Sequence, residues 1–247
     1  VDNDEGETVW EPAKIGASSN GSWSTSDSIP TLPDGTYRIK AEVVDLAGNT
    51  GTSELDITMD RIAPTVDWEI AKDSDSGTLQ DRITNDSTPT IIGKIDPAHK
   101  IEILVDGVIL PKESIIKEPS GKWQGTLLKQ NDGTHDVVVR VTDRAGNIGE
   151  SEQEITIDTT APMKTTLLLF NKSKNNIKTN ESDIEFSGVT EAGSEVDVVI
   201  TSDQAGASLV KFTVTTNAAG EWGHVEGLKD EGTYTVTATV RDVADNS

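Results

Sequence analysis

Cysteine is absent from this chain of 247 residues, so disulfide frameworks, thiolate metal sites and thiol nucleophiles are excluded. A hydrophobic core or an oxygen-coordinated ion must hold the fold instead. Basic residues are few and never clustered: 21 Lys and Arg stand against 43 Asp and Glu, a formal charge of −22. Without a basic patch, the footprint selected by phosphate backbones and anionic lipid surfaces is missing, and nucleic acid is not expected as a partner. No apolar run approaches the roughly 20 residues of a membrane span, so membrane insertion is not expected either. The opening Val1-Asp2-Asn3-Asp4 is not a basic and then apolar leader, which places the start inside a longer polypeptide. Apolar residues make up 34% of the chain and come in short bursts, as in a folded protein rather than a disordered one.

The sequence repeats itself. Gly21-Ser22-Trp23, Gly121-Lys122-Trp123 and Gly220-Glu221-Trp222 share a G-x-W pattern, with Trp residues 100 and 99 positions apart. About ten residues later each copy resumes with an acidic residue, Gly and Thr, at Asp34-Gly35-Thr36-Tyr37, Asp132-Gly133-Thr134 and Glu231-Gly232-Thr233-Tyr234. Each then reaches an Asp-to-Asn loop: Asp45-Leu46-Ala47-Gly48-Asn49, Asp143-Arg144-Ala145-Gly146-Asn147 and Asp242-Val243-Ala244-Asp245-Asn246. The connections Asp60-Arg61-Ile62-Ala63-Pro64 and Asp158-Thr159-Thr160-Ala161-Pro162 also match, at an offset of 98. That period is a domain, not a solenoid turn. The expected division is 1–61, 62–160 and 161–247, with the middle copy complete and stable, the first lacking its initial strands and the third lacking its last.

Within the middle copy, Ile101, Ile103 and Val105, and again Val137, Val139 and Val141, follow the two-residue period of half-buried strands. Asn, Asp and Gly turns separate the runs, and no segment carries a sustained helical period. Strands are predicted at 65–71, 88–95, 99–106, 113–118, 122–128, 133–142 and 150–158, designated A to G. Seven short strands in about 98 residues predict an all-β fold of tandem immunoglobulin-like antiparallel β-sandwiches, arranged as an extended rod. Tyr37 and Tyr234 then fall where such a sandwich keeps the tyrosine corner of its E–F turn, and His135 replaces them in the middle copy. The G-x-W tryptophans are expected in the core, leaving Trp10 and Trp68, outside the repeat alignment, as the candidates for exposure.

The carboxylates recur at fixed places in the repeat. Immunoglobulin-like topology gathers the A–B and E–F loops and the linker of one copy beside the F–G loop of the next. At the first junction this groups Asp34 and Asp60 with Asp143 and Asn147. At the second it groups Asp73, Asp75, Asp132 and Asp158 with Asp242 and Asp245, and Asp86 can join from the start of strand B. Bare carboxylates about 5 Å apart repel by roughly 3 kcal/mol at an effective dielectric near 20, whereas Ca²⁺, which accepts six to eight oxygens, reverses that sign. Asp73-Ser74-Asp75-Ser76-Gly77 is a D-x-D-x-G loop, although not an EF-hand, because Thr84 occupies the place of the bidentate Glu. Asn171-Lys172-Ser173-Lys174-Asn175 replaces that loop in the third copy, which weakens any equivalent site there. Bound Ca²⁺ is the expected cofactor, and neighbouring repeats are the expected partners.

The D-x-x-A-P linker, the D-x-A-G-N loop, the D-G-T-Y corner and the G-x-W turn together resemble bacterial immunoglobulin-like repeats of giant surface adhesins secreted by type I machinery. The resemblance spans essentially the whole chain. It implies a secreted, monomeric stalk segment at the bacterial cell surface, rigidified by Ca²⁺, serving attachment to host cells, with host-cell surface glycans or glycoproteins as targets. By matching position it assigns Asp60 and Asp158 as linker ligands, and Asp143 and Asp242 as F–G ligands. An accessory spacer of a secreted polysaccharide-degrading enzyme is the alternative. Catalysis is not expected: His99, His135 and His224 are dispersed, and no nucleophile-elbow or zincin pattern occurs.

Overall fold

The computed structural model describes residues 6, 18, 21–24, 31–169, 177–204, 209–228 and 231–247. Trp10, the acidic residues among the first seven, and Asn171–Asn175 lie outside them. The chain divides into two compact units, Val1–Thr65 with Ala98–Lys100 and Val141–Gly149, and Val66–Pro97 with Ile101–Arg140 and Glu150–Ser247.

In the first unit, β1 (Gly35–Val44) and β2 (Thr50–Met59) form an antiparallel hairpin, in register from Gly35 opposite Met59 to Val44 opposite Thr50. The turn between them is the first Asp-to-Asn loop. Tyr37 is buried and donates its hydroxyl to the Pro33 carbonyl at 2.9 Å, the corner expected at this position.

The second unit contains most of the middle copy. Its strands are β3 (Trp68–Ile70), β4 (Ile83–Thr84), β5 (Thr90–Lys94), β6 (Lys100–Val105), β7 (Val108–Ile109), β8 (Ile115–Lys117), β9 (Lys122–Thr126), β10 (Gly133–Thr142) and β11 (Ile148–Ile157). One sheet runs β4-β11-β10-β6-β7 and the other β3-β5-β9-β8. Alternation decides what they enclose. Ile103, Val137, Val139, Val141 and Ile155 are fully buried, while the residues between them face outward. Predicted strand A is shortened to β3, and the A–B loop carries β4, which pairs parallel with β11 in the other sheet.

The third copy comprises β12 (Leu168–Leu169), β13 (Asp183–Val189), β14 (Glu195–Ser202), β15 (Val210–Thr215), β16 (Glu221–Gly227) and β17 (Tyr234–Arg241). Two three-stranded sheets, β12-β13-β16 and β15-β14-β17, enclose Ile184, Phe186, Val196, Val198, Ile200, Trp222 and Val240. Two expectations about tryptophan are corrected. Trp123 and Trp222 fill cores, but Trp23 is 53% exposed, whereas Trp68 is buried at 4%. Trp68 is inward because β3 alternates, with Trp68 and Ile70 buried and Glu69 between them exposed.

Candidate functional site

The recurring Asp-to-Asn loop is a hydrogen-bonded turn. In each copy the first backbone N–H donates to the Asn carbonyl: Asp45 to Asn49 at 2.9 Å, Asp143 to Asn147 at 3.1 Å and Asp242 to Asn246 at 3.2 Å. The carboxylate then folds back over the turn. Asp143 Oδ1 accepts the amides of Gly146 and Asn147 at 2.7 and 2.8 Å, and its Oδ2 accepts Asn147 Nδ2 at 2.8 Å. Asp242 accepts the Asn246 amide and Nδ2, both at 2.9 Å, and Asp45 is bonded to Asn49 in the same way. The Asn147 side chain holds the Asp143 carboxyl below the usual carboxylate range, and Asn49 does the same for Asp45. The fourth loop residue needs a left-handed backbone, which Gly48 and Gly146 supply at φ +88° and +97°. Asp245 adopts φ +68° there, so the turn survives the substitution, and its Oδ1 accepts Arg241 Nη1 at 3.3 Å.

The Asn of the loop has a second task. Asn147 Nδ2 donates to the backbone carbonyl of linker residue Asp60 at 3.0 Å, and Asn246 Nδ2 donates to that of Asp158 at 2.8 Å. Each linker is also held by the copy that precedes it. Asp34 accepts the Arg61 amide at 3.2 Å and its Nη1 at 2.8 Å. At the matching place Asp132 accepts the Thr159 amide and hydroxyl at 3.0 and 2.7 Å and the Thr160 hydroxyl at 2.6 Å. These bonds, from Thr160 first and then Thr159, hold the Asp132 carboxyl below its ordinary value. Finally the linker Asp caps its own turn, with Asp60 Oδ1 accepting Ile62 N and Asp158 Oδ1 accepting Thr160 N, both at 3.1 Å. The same three-point clasp therefore occurs once in each unit.

Asp73, Asp75 and Asp86 belong to the A–B loop of the middle copy. Asp86 is a structural pin: its carboxylate accepts Ser74 Oγ at 2.9 Å and the Thr88 amide at 2.8 Å. Asp73 is exposed. Asp75 is buried at 7% exposure; its Oδ2 accepts the Gln80 amide at 2.7 Å, while its buried Oδ1 has no hydrogen-bond partner. Gln80 and Arg82 both sit at φ +68°, a costly conformation for non-glycine residues, as the loop coils around this carboxylate. The same loop meets the third copy, where Ser76 Oγ donates to the Ala244 carbonyl at 2.6 Å. Among the described residues no group of three carboxylates or imidazoles draws together as a ready metal cage. The orphaned Asp75 oxygen is nevertheless a fit for a hard cation, because a buried carboxylate oxygen without a donor requires a compensating charge, proton or water. Sequence reasoning did not anticipate Asn147 and Asn246 as donors to the linker carbonyls. The constant spacing of four residues between each loop Asp and its Asn was the available signal.

The fold and these clasps define a tandem of immunoglobulin-like β-sandwich repeats. The chain belongs to the bacterial Ig-like domain family, whose model matches residues 1–61, 62–159 and 171–247. Among curated proteins none matches. Among solved structures it is similar to a tetra-tandem repeat from the extending region of a large adhesion protein, at 24% identity and TM-score 0.34, covering 99% of this chain and 62% of that one. It is also similar to a structure of a 1.5-MDa bacterial ice-binding adhesin, at 17% identity and TM-score 0.34, over 84% of this chain and 73% of that one. A third likeness is SGBP-B of a Bacteroides ovatus mixed-linkage glucan utilization locus, at 16% identity and TM-score 0.27, over 92% and 65% of the two chains. At such TM-scores none of these likenesses bears on function, and the family membership stands on the matched residues. Among the described residues no helix is long and apolar enough to cross a membrane.

Proposed function

We propose that this chain is a stalk segment of a large bacterial surface adhesin, secreted and monomeric, whose repeats space an attachment region away from the cell that bears it. The observation that carries the reading is the repeated clasp: matching positions in two successive linkers are held from both sides by side-chain hydrogen bonds. A spacer needs joints that resist bending, and this sequence invests its recurring acids there. Attachment to host cells through surface glycans or glycoproteins belongs to the same proposal and is assigned to the adhesin as a whole.

Ca²⁺ completes the reading at the second linker. Asp75, with its unpartnered oxygen, would be a ligand of the ion, and the ion would supply charge compensation. Arg61, bonded to Asp34 across the first linker, already places a cation where the second linker has Thr159, so the first joint has less need of a metal. At millimolar Ca²⁺ and dissociation constants of about 10⁻⁴ to 10⁻³ M, an occupied joint gains roughly 0.4 to 1.4 kcal/mol. Calorimetric Ca²⁺ titration of the parent and of Asp75→Asn tests this, paired with small-angle scattering in Ca²⁺ and in chelator. The expected result is binding and a larger maximum dimension in the parent, both lost in the variant. Equal stoichiometry in the two proteins removes Asp75 as a ligand, and an unchanged dimension in the parent removes the stiffening.

A further inference from the structure

The middle copy replaces the corner tyrosine with His135, and the substitution is chemically different from the residue it replaces. Tyr37 needs one acceptor and has one, the carbonyl of Pro33. His135 faces two. Its Nε2 lies 2.9 Å from the carbonyl of Asn131, four residues back as in the tyrosine corner, and its Nδ1 lies 2.7 Å from Asp106 Oδ2. A carbonyl and an ionised carboxylate can only accept, so both bonds form together only when the ring carries two protons. The side chain is enclosed, with 13% of it exposed.

What the ring holds gives the arrangement its reach. The residue after Pro33 is Asp34 and the residue after Asn131 is Asp132, the two carboxylates that grip the linkers. In both copies the corner residue therefore pins the carbonyl immediately preceding the clasping Asp. We propose that His135 makes the second linker a proton-dependent joint: the doubly protonated ring locks the E–F corner and with it the Asp132 grip on Thr159 and Thr160, and loss of one proton loosens both. In the neutral ring the proton stays on Nδ1 beside Asp106, and the bare Nε2 then faces the Asn131 carbonyl, lone pair to lone pair.

The surrounding charges agree. Asp106 reaches the ring from the β6–β7 turn, and its other oxygen accepts the Asp136 amide at 2.9 Å. Asp136 projects from the opposite face of β10. The register that sets Thr134 beside Thr156 puts Glu154 across from it on β11, also on that outward face. On the E–F loop, Lys129 is exposed and Asp132 is engaged with Thr159 and Thr160. On the inner face of the same two strands Val137 and Ile155 are apolar and fully buried. The hydrogen bond that the ring donates to Asp106, and secondarily the one it donates to the Asn131 carbonyl, hold the imidazolium above the ordinary histidine value of 6.5. A raised value means that the lock is complete below about pH 6.5 and is lost as pH rises through the folded value. At the acid end Asp106, depressed chiefly by His135, keeps its share down to below the ordinary carboxylate value of 3.8.

The test uses the whole chain with His135→Tyr and Asp106→Asn. Imidazole ¹⁵N shifts should report two N–H groups in the parent at about pH 5.5 and a titration midpoint above 6.5 that falls in Asp106→Asn. Amide exchange of Thr159, corrected for its intrinsic pH dependence, should rise roughly threefold to tenfold in the parent between about pH 5.5 and about pH 8.5, and stay level in His135→Tyr. The proposal is overturned if parent and His135→Tyr share one exchange profile, if the midpoint is indifferent to Asp106→Asn, or if a single N–H tautomer persists throughout. Should His135→Tyr misfold, the parent and Asp106→Asn titrations decide alone.

Discussion

Gly77→Ala isolates the contact by which the A–B loop of the middle copy meets the F–G loop of the third. Gly77 sits at φ +66°, and a Cβ there would lie 2.2 Å from the Val243 carbonyl oxygen. Ordinary contact begins near 3.4 Å, so one loop must retreat by about 1.2 Å. Two costs follow. The left-handed backbone costs an alanine roughly 1–2 kcal/mol wherever it occurs. The steric cost is bounded differently, because the loop can swing off Val243 and relieve the clash by giving up what the contact contributed. That contribution is chiefly the Ser76 to Ala244 hydrogen bond, about 0.5–1.5 kcal/mol net. Gly193→Ala is the control, since Gly193 has φ +80° with nothing within 4 Å of a Cβ. Urea unfolding should show Gly193→Ala lower by about 1–2 kcal/mol and Gly77→Ala lower by about 1 kcal/mol more. Residual dipolar couplings should show a changed relative alignment of the middle and third copies in Gly77→Ala alone. The reasoning is refuted if the couplings are unchanged in Gly77→Ala. It is refuted equally if that variant loses several kcal/mol beyond the control, because the clash would then be absorbed inside the sandwich and not at the contact.

Two further outcomes concern single groups. Trp222 Nε1 donates to Thr165 Oγ1 at 2.8 Å, while buried Trp123 Nε1 has no partner. The matching approaches of Gly93 to Asp67 and of Gly188 to Thr166 make Val66 the counterpart of Thr165. Thr165→Val should therefore destabilise the third copy by about 1–3 kcal/mol and Val66→Thr should stabilise the middle copy by up to about 1 kcal/mol; a neutral Thr165→Val in denaturant titration would contradict this. For Asp132, whose carboxyl is depressed by Thr160 and Thr159, Thr160→Val should move the carboxyl ¹³C titration midpoint up toward 3.8. Stability owed to that depression is present above about 3.8 and lost as pH falls through the lower folded value, so parent and variant should converge in acid. A midpoint that does not move would show that the hydroxyl is not holding the ionised form.

Much of the fold is legible because it rests on local rules. The two-residue alternation at Val137, Val139 and Val141 fixes which face of β10 is buried, and the Gly-containing turns fix where strands stop. The tyrosine corner follows from three consecutive residues. Trp68 was misjudged because it has no counterpart in the repeat; its burial follows from alternation along the three residues of β3, too short a run to show its period in the sequence. The junction acids were legible as a set but not as individuals. Sequence gives the number of carboxylates near a linker; it does not give the number of N–H groups that reach them. Asp143 and Asp242 accept at both oxygens from their own turn, Asp132 accepts three donors from the linker, and among the described residues the A–B loop leaves one buried oxygen of Asp75 without a donor.

The charge of −22 takes on a different meaning from these geometries. Carboxylates packed near a joint repel one another, and two remedies are available. One is to spend each charge on backbone and hydroxyl donors, which stabilises the ionised form and fixes the chain segment that supplies the donors. The other is a counter-ion. The first remedy is built from residues a few positions apart and works in any medium, which accounts for its presence at both linkers. The second depends on the surroundings, and the two linkers differ in how much room they leave for it: Arg61 meets Asp34 at 2.8 Å in one, and neutral Thr159 meets Asp132 in the other. The first linker is set by its own side chains; under the proposals above, the second would also answer to ions through Asp75 and to protons through His135.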